Sequence, residues 1–360
     1  MKRLAQLTHW EAITSLGESA AETALLLRAG LNNVGPSAFV DSAGERVLLC
    51  AAPALAPDLQ AADRLVALAA HALSGLWMAV EEGSARPHHP HPQMPPLLLM
   101  ALPERFAATA PHGRLNDDGD AFVRSLRECL PPRWAGADIE AFPFGRAAGV
   151  LAMGRALQCV SSDRLVIWGG VDTLLDWAVL QALEARDRLV TLDNIDGVRP
   201  GEGAAFAVVA PAEGAAGVGL LALGLGREPS PVGSEDPSFA VGLTQALEAA
   251  VAPLRAAQLR TNNWLLDLTH EAYATQALQN VIARFSDVLS LKSDLQTPLK
   301  ELGDVGAAAM PLLVALGAEA WRLGYASDRT ALITGCSDNG ARGAMLMAAP
   351  ETFAPGGVAP

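Results

Sequence analysis

The sequence predicts a mixed α/β protein built in layers from two successive sets of strands and helices. Three observations carry this prediction. Short apolar runs of strand length alternate with segments of helical spacing, and the pattern starts afresh after residue 260. The segment Gly306–Gly324 is alanine-rich and apolar all round, which suits a helix with no face to solvent. Of the 360 residues, 51% are hydrophobic and only 18% charged, enough for a large packed core.

Taken in order, Ala12–Gly17 reads as a strand ending in a glycine turn, and Ser19–Arg28 as a helix. Ala38–Asp41 and Arg46–Cys50 flank S-A-G-E as a hairpin, and Ala61–Val80 is strongly helical. A Pro/His-rich loop follows. Leu97–Leu102 is a continuous apolar run typical of a buried strand. A helix is expected over Ala121–Cys129, a strand over Ile139–Phe144, a helix from Arg146 and a buried strand over Arg164–Gly169. Ala204–Ala210 and Val218–Leu225 read as paired strands, with Gly201-Glu202-Gly203 as a tight turn. The long helix Phe239–Leu259 contains Pro253, a kink site. A second set follows: strand Trp264–Leu268, helix Ala272–Phe285, the apolar helix Gly306–Gly324, and the terminal strands Thr330–Gly335 and Ala344–Ala348. The expected division is into residues 1–235 and 236–360, although no repeat is visible residue by residue.

The formal charge of -13 argues against unaided binding to nucleic acid or to anionic membranes. Four scattered cysteines, with no C-x-x-C pair, fit reduced thiols and a cytoplasmic protein. His88, His89 and His91 lack the companion ligands of a zinc site and read as a solvated loop. Neither a metal nor another cofactor is expected. No segment reads as a signal peptide or membrane helix: His9, Trp10 and Glu11 interrupt the start, and glycines and Pro211 interrupt the most apolar window, Ala204–Gly226.

Six motifs carry a resemblance. They are Thr14-Ser15-Leu16-Gly17; F-G-R-A-A-G-V-L-A-M-G-R-A from Phe144; G-G-V-D-T-L-L-D from Gly169; R-P-G-E-G-A-A-F-A-V from Arg199; and L-G-D-V-G-A-A-A-M from Leu302, with G-C-S-D-N-G-A-R-G closing the chain's last hairpin. In this order and spacing the chain resembles the β-ketoacyl synthases of the thiolase-like superfamily. The resemblance implies a layered αβαβα fold of two similar halves. In that family a cysteine at a helix start accepts the acyl chain, because the helix dipole favours its thiolate. Two histidines then stabilise the enolate formed by decarboxylation.

Here the cysteine position holds Arg146 and the second histidine position Asp304. Two residues compete for the first histidine position, His270 and Thr269. Arginine stays protonated and cannot act as a nucleophile, and aspartate repels an enolate. Condensation by the family's mechanism is therefore expected to be absent, which defines a pseudoenzyme. Two roles are open to Arg146: an ion pair with Asp304, joined by His270 or Glu271, or capture of an anionic ligand at the helix start. Cys336, working with His270, is the alternative nucleophile of a non-standard acyltransferase; Cys159 lies too far along the helix to serve. The resemblance further implies a homodimer, or a heterodimer with a related synthase, paired through Arg164–Gly169. It points to an acyl carrier protein or a bacterial secretion-cluster protein as partner.

Overall fold

In the computed structural model, residues 1–84, 94–109, 113–161, 163–213 and 216–353 are described; His88, His89 and His91 lie outside them. The first half contributes β1 (Ala5–Thr14), α1 (Ala20–Arg28), the hairpin β2 (Val34–Val40) and β3 (Arg46–Cys50), α2 (Ala61–Ser84), β4 (Met94–Ala101), α3 (Asp117–Cys129), β5 (Asp138–Phe142), α4 (Ala148–Cys159), β6 (Arg164–Thr173), α5 (Trp177–Glu184) and β7 (Glu202–Ala210). The second contributes β8 (Val218–Arg227), α6 (Val241–Ala257), β9 (Thr261–Leu265), α7 (Ala272–Ile282), β10 (Leu289–Gln296), α8 (Leu299–Leu302), α9 (Ala309–Arg322), β11 (Thr330–Cys336) and β12 (Ala341–Ala348).

The main sheet runs β10-β9-β11-β12-β8-β1-β7-β6-β4-β5. Its two wings are topological copies. Numbered within each half, both read 3-2-4-5-1 from the outer edge, with two parallel pairings followed by two antiparallel ones. The halves meet where Ala5–Leu7 of β1 pairs antiparallel with Val218–Leu220 of β8. By strand order the second set begins at β8, ahead of the expected boundary at residue 235.

Alternation along each strand builds five layers, because successive side chains face opposite sides of a sheet. In β4, Leu97 and Leu99 face a central layer containing α4 and α9, while Leu98 and Met100 face the outer helices α2 and α3. In the second half, β11 and β12 give Ile333 and Met345 to the centre and Leu332 and Leu346 to α6 and α7. Every residue of α9 from Ala309 to Trp321 is buried, as its all-round apolar sequence predicts. Central helices need close contact: a Cβ on Gly149 of α4 would lie 2.9 Å from Met310 Cβ of α9. By contrast α2 buries one stripe, Leu65, Leu68, Ala69, Ala72, Leu73 and Leu76. It is the one described helix long and apolar enough to cross a membrane by length and composition, and that stripe packs into the outer core.

Three expectations are corrected. The strands β7 and β8 do not pair, because β1 inserts between them. Gly201-Glu202-Gly203 is no turn: Glu202 opens β7, wholly buried, where Arg64 grips its carboxylate through Nε at 2.8 Å and Thr173 and the Ala52 N–H also donate to it. The third concerns pairing through Arg164–Gly169: β6 lies inside the sheet between β4 and β7, and the open edges are β5 and β10.

Candidate functional site

The two central helices start alike. A 3₁₀ turn, Gly145–Ala147, leads into α4, and another, Gly306–Ala308, leads into α9. Both turns open on a glycine of positive φ, +68° and +49°. At Gly306 the requirement is also steric, since a Cβ would fall 2.0 Å from Asp172 Oδ2. Arg146 sits in the first turn, and Asp304 stands just before the second. The backbone of Asp304 is clamped: its N–H donates to Arg199 O at 2.8 Å, and its carbonyl accepts from Gly201 N at 3.0 Å. The duplicated topology thus brings together two residues 158 apart in sequence.

The structure pairs them. Arg146 Nε donates to Asp304 Oδ1 at 3.1 Å and Nη2 donates to Asp304 Oδ2, a two-pronged contact. Asp304 Oδ1 also accepts from Gly306 N at 2.9 Å. The Asp304 side chain is fully buried and that of Arg146 only 12% exposed. On its other side Arg146 Nη1 reaches Asp338 Oδ1 at 3.1 Å and the Cys336 carbonyl at 3.3 Å. Asp338 in turn accepts from Arg188 Nη1 at 2.7 Å, and Arg188 grips Glu271 through Nε at 2.7 Å and Nη2 at 3.0 Å. The result is an alternating chain of charges, Asp304–Arg146–Asp338–Arg188–Glu271.

Burial alone would lower the Arg146 pKa, but the Asp304 and Asp338 carboxylates outweigh it and hold the guanidinium charged. Burial likewise pushes the Asp338 carboxyl upward, yet Arg146 and Arg188 bring it down to about 2. Glu104 lies against the same turn, accepting from Asn339 N at 3.3 Å. Burial and then the Asp338 charge push it up to about 7. Asp267 is also raised, chiefly by burial.

Ser337 stoppers the start of α4. Its Oγ accepts from the Ala147 N–H at 2.8 Å and donates to Phe144 O at 2.5 Å. An amide that could polarise a bound carbonyl is therefore occupied. The space beside Arg146 amounts to about 50 Å³, lined by Leu266, Asp267, Thr269, Tyr273 and Cys336 among others. That holds a few waters; small-molecule pockets run to roughly 300–1,000 Å³.

The remaining candidates fall out as follows. Cys336 borders this cavity, but burial, then the charge of Asp267, pushes its thiol up to about 12. At pH 7 about one molecule in 10⁵ would carry the thiolate. The Asp267 carboxylate instead accepts the Cys336 backbone N–H at 2.5 Å. His270 does not join the Arg146 chain; its charged neighbours are Arg199, Lys300 and Glu301. Thr269 lines the cavity, and Glu271 ends the ion chain. Sequence reasoning missed Asp338, Arg188, Ser337 and Asp267. Asp338 and Ser337 lie in the G-C-S-D-N-G turn already singled out, so they were findable; Arg188 carries no local signal.

Solved structures give the fold a reference. One described as the ishigamide ketosynthase/chain length factor superposes with a TM-score of 0.67 at 17% identity, covering 96% of this chain and 99% of its own. A ketosynthase in complex with its chain length factor from Xenorhabdus doucetiae gives 0.69 at 14% identity, over 96% of this chain and 98% of its own. A structure of a type II PKS acyl-carrier protein in complex with its ketosynthase bound to the hexaketide gives 0.71 at 15%, over 97% and 100%. No protein-family model matches the chain, nor does any curated protein. The chain has the thiolase-like ketosynthase fold. Within that fold, the start of its first central helix carries a buried arginine held by two aspartates.

Proposed function

We propose that this protein is a non-condensing ketosynthase-like subunit that works by association, in the manner of a chain length factor beside an active synthase. The observation that carries this reading is the ion chain anchored on Arg146 at the start of α4. Arg146 is non-nucleophilic and fully paired, at the position that the sequence resemblance assigns to the acyl acceptor. The small cavity supports the same reading, as does the raised Cys336 thiol, which disfavours the alternative acyltransferase built on Cys336 and His270. Two structural neighbours are described as ketosynthases with chain length factors, an assembly of the kind this reading requires.

A partner that extends the sheet would add to an open edge. β5 is the better placed, because it ends four residues before Arg146 and is half-buried along most of its length. Its carboxylates are already matched, Glu140 by Arg155 at 2.8 and 2.9 Å and Asp138 by Arg164. A neighbouring strand there meets neutralised pairs rather than bare charge.

The test is incubation with a reactive acyl thioester followed by intact-mass analysis and peptide mapping. No covalent adduct is expected. Stoichiometric acylation of one residue overturns the reading. Co-purification with a ketosynthase encoded in the same genome, in a 1:1 complex, is the positive counterpart.

A further inference from the structure

Arg64, Arg105, Arg146 and Arg188 are all buried or half-buried, and each is held by a carboxylate: Glu202, Asp172, Asp304 and Glu271 respectively. Arg199 breaks this pattern. Among the described residues its Nε is buried without a hydrogen-bond partner, and Nη1 donates to the Lys300 carbonyl at 3.1 Å. Among the described residues neither Arg199 nor Lys300 forms an ion pair. His270 is half-buried and lies within electrostatic range of both. Burial, then the charges of Arg199 and Lys300, hold its pKa below the ordinary 6.5; Glu301 pulls the other way.

The cluster rests on a fixed scaffold. The Arg199 carbonyl accepts from Asp304 N at 2.8 Å, and Pro200 O accepts from Cys50 N at 2.9 Å. The Cys50 thiol donates to Glu301 O at 3.7 Å. These contacts fix the backbone at Arg199–Pro200 and at Glu301, next to Lys300, before any ligand arrives. Three basic side chains with a spare buried N–H are costly to assemble unless something anionic satisfies them. That they gather in a protein of charge -13 sharpens the point.

We propose that Arg199, Lys300 and His270 form a binding site for a phosphate group, next to the sealed Arg146 position but separate from it. A phosphate offers several strong acceptors at once, enough for a guanidinium, an ammonium and an imidazole N–H. By linkage, an anion bound there raises the affinity of His270 for its proton, and protonation of His270 tightens the anion in return.

The experiment follows the ring protons of His270 by NMR in the full chain. The chain has seven histidines, and His270→Asn assigns the signal. Inorganic phosphate is titrated at constant ionic strength against sodium chloride. The expected result is a saturable shift, with the His270 pKa raised by on the order of one unit at saturation. Arg199→Gln should weaken phosphate binding about tenfold or more, and should raise the His270 pKa when phosphate is absent. If that variant does not fold, Lys300→Gln tests the same loss. A response to glycerol phosphate as well points to an organic ester as ligand; a response to inorganic phosphate alone points to the free ion. No response to phosphate, or equal responses to phosphate, chloride and acetate, overturns the site. The readout is independent of acyl chemistry, so its failure leaves the proposed function standing.

Discussion

Removing one charge at the Arg146–Asp304 pair tests whether that contact governs the sealed helix start. In Asp304→Asn the amide oxygen can still accept the Gly306 N–H, now at 2.9 Å, so the change removes charge with little loss of local geometry. Arg146 would then keep Asp338 at 3.1 Å and the Cys336 carbonyl at 3.3 Å. One-sided loss of a buried pair costs about 3–5 kcal/mol, and these surviving contacts place the expected cost near the lower end, about 3 kcal/mol. Arg146→Met should cost a similar amount, because it strands a fully buried carboxylate. The double variant Arg146→Met/Asp304→Leu removes both charges, and apolar replacements of buried pairs are near neutral; it should lie within about 1 kcal/mol of the parent, against about 6 if the losses added. Urea unfolding midpoints at pH 7, with an unchanged denaturant slope, compare the parent and the three variants. A single-variant loss below about 1 kcal/mol, or a double variant as unstable as the sum of the singles, would refute the reasoning.

Glu104 predicts a pH dependence. Its folded pKa of about 7 lies above the ordinary 4.5, so the folded state binds the extra proton between those values. Stability should therefore fall as pH rises from about 4.5 to about 7 and level off above it, and Glu104→Gln should flatten that slope in urea midpoints taken from pH 5 to 8. Alkylation with iodoacetamide at pH 8 should label the exposed Cys129 and leave Cys50 and Cys336 unmodified until the chain unfolds, because burial raises both thiols; early peptide-mapped labelling of Cys336 would contradict this. Glu202→Ala should destabilise by about 3–5 kcal/mol, since it strands Arg64 at 4% exposure; a loss under about 1 kcal/mol in the same assay would show the pair to be dispensable.

Much of the fold was legible because burial leaves a periodic mark. The stripe of α2, the all-apolar α9 and the runs of β4 and β11 each announce their surroundings within ten to twenty residues. Short or interrupted elements were missed: α5 spans eight residues and α8 four, and β10 carries Lys292 and Asp294 among its leucines. The site was half legible. Arg146 and Asp304 stand out against the motifs that surround them, Glu271 lies next to the candidate His270 and Asp338 lies in the G-C-S-D-N-G turn, but Arg188, which links those two carboxylates, is an ordinary charged residue in the sequence.

By itself the sequence determined most of the strands and helices, that they come in two sets, and that the first central helix starts with an arginine rather than a thiol. Tertiary structure decided what those facts add up to. Strand order is set by long-range pairing, so only the fold could insert β1 between β7 and β8 and turn Gly201-Glu202-Gly203 from a turn into a buried anchor. Charge pairing is likewise a matter of distance in space. Coulomb attraction between Arg146 and Asp304 exists only because the two copies of one topology set their helix starts side by side, and the same packing leaves His270 outside that chain, with Arg199, Lys300 and Glu301 as its charged neighbours.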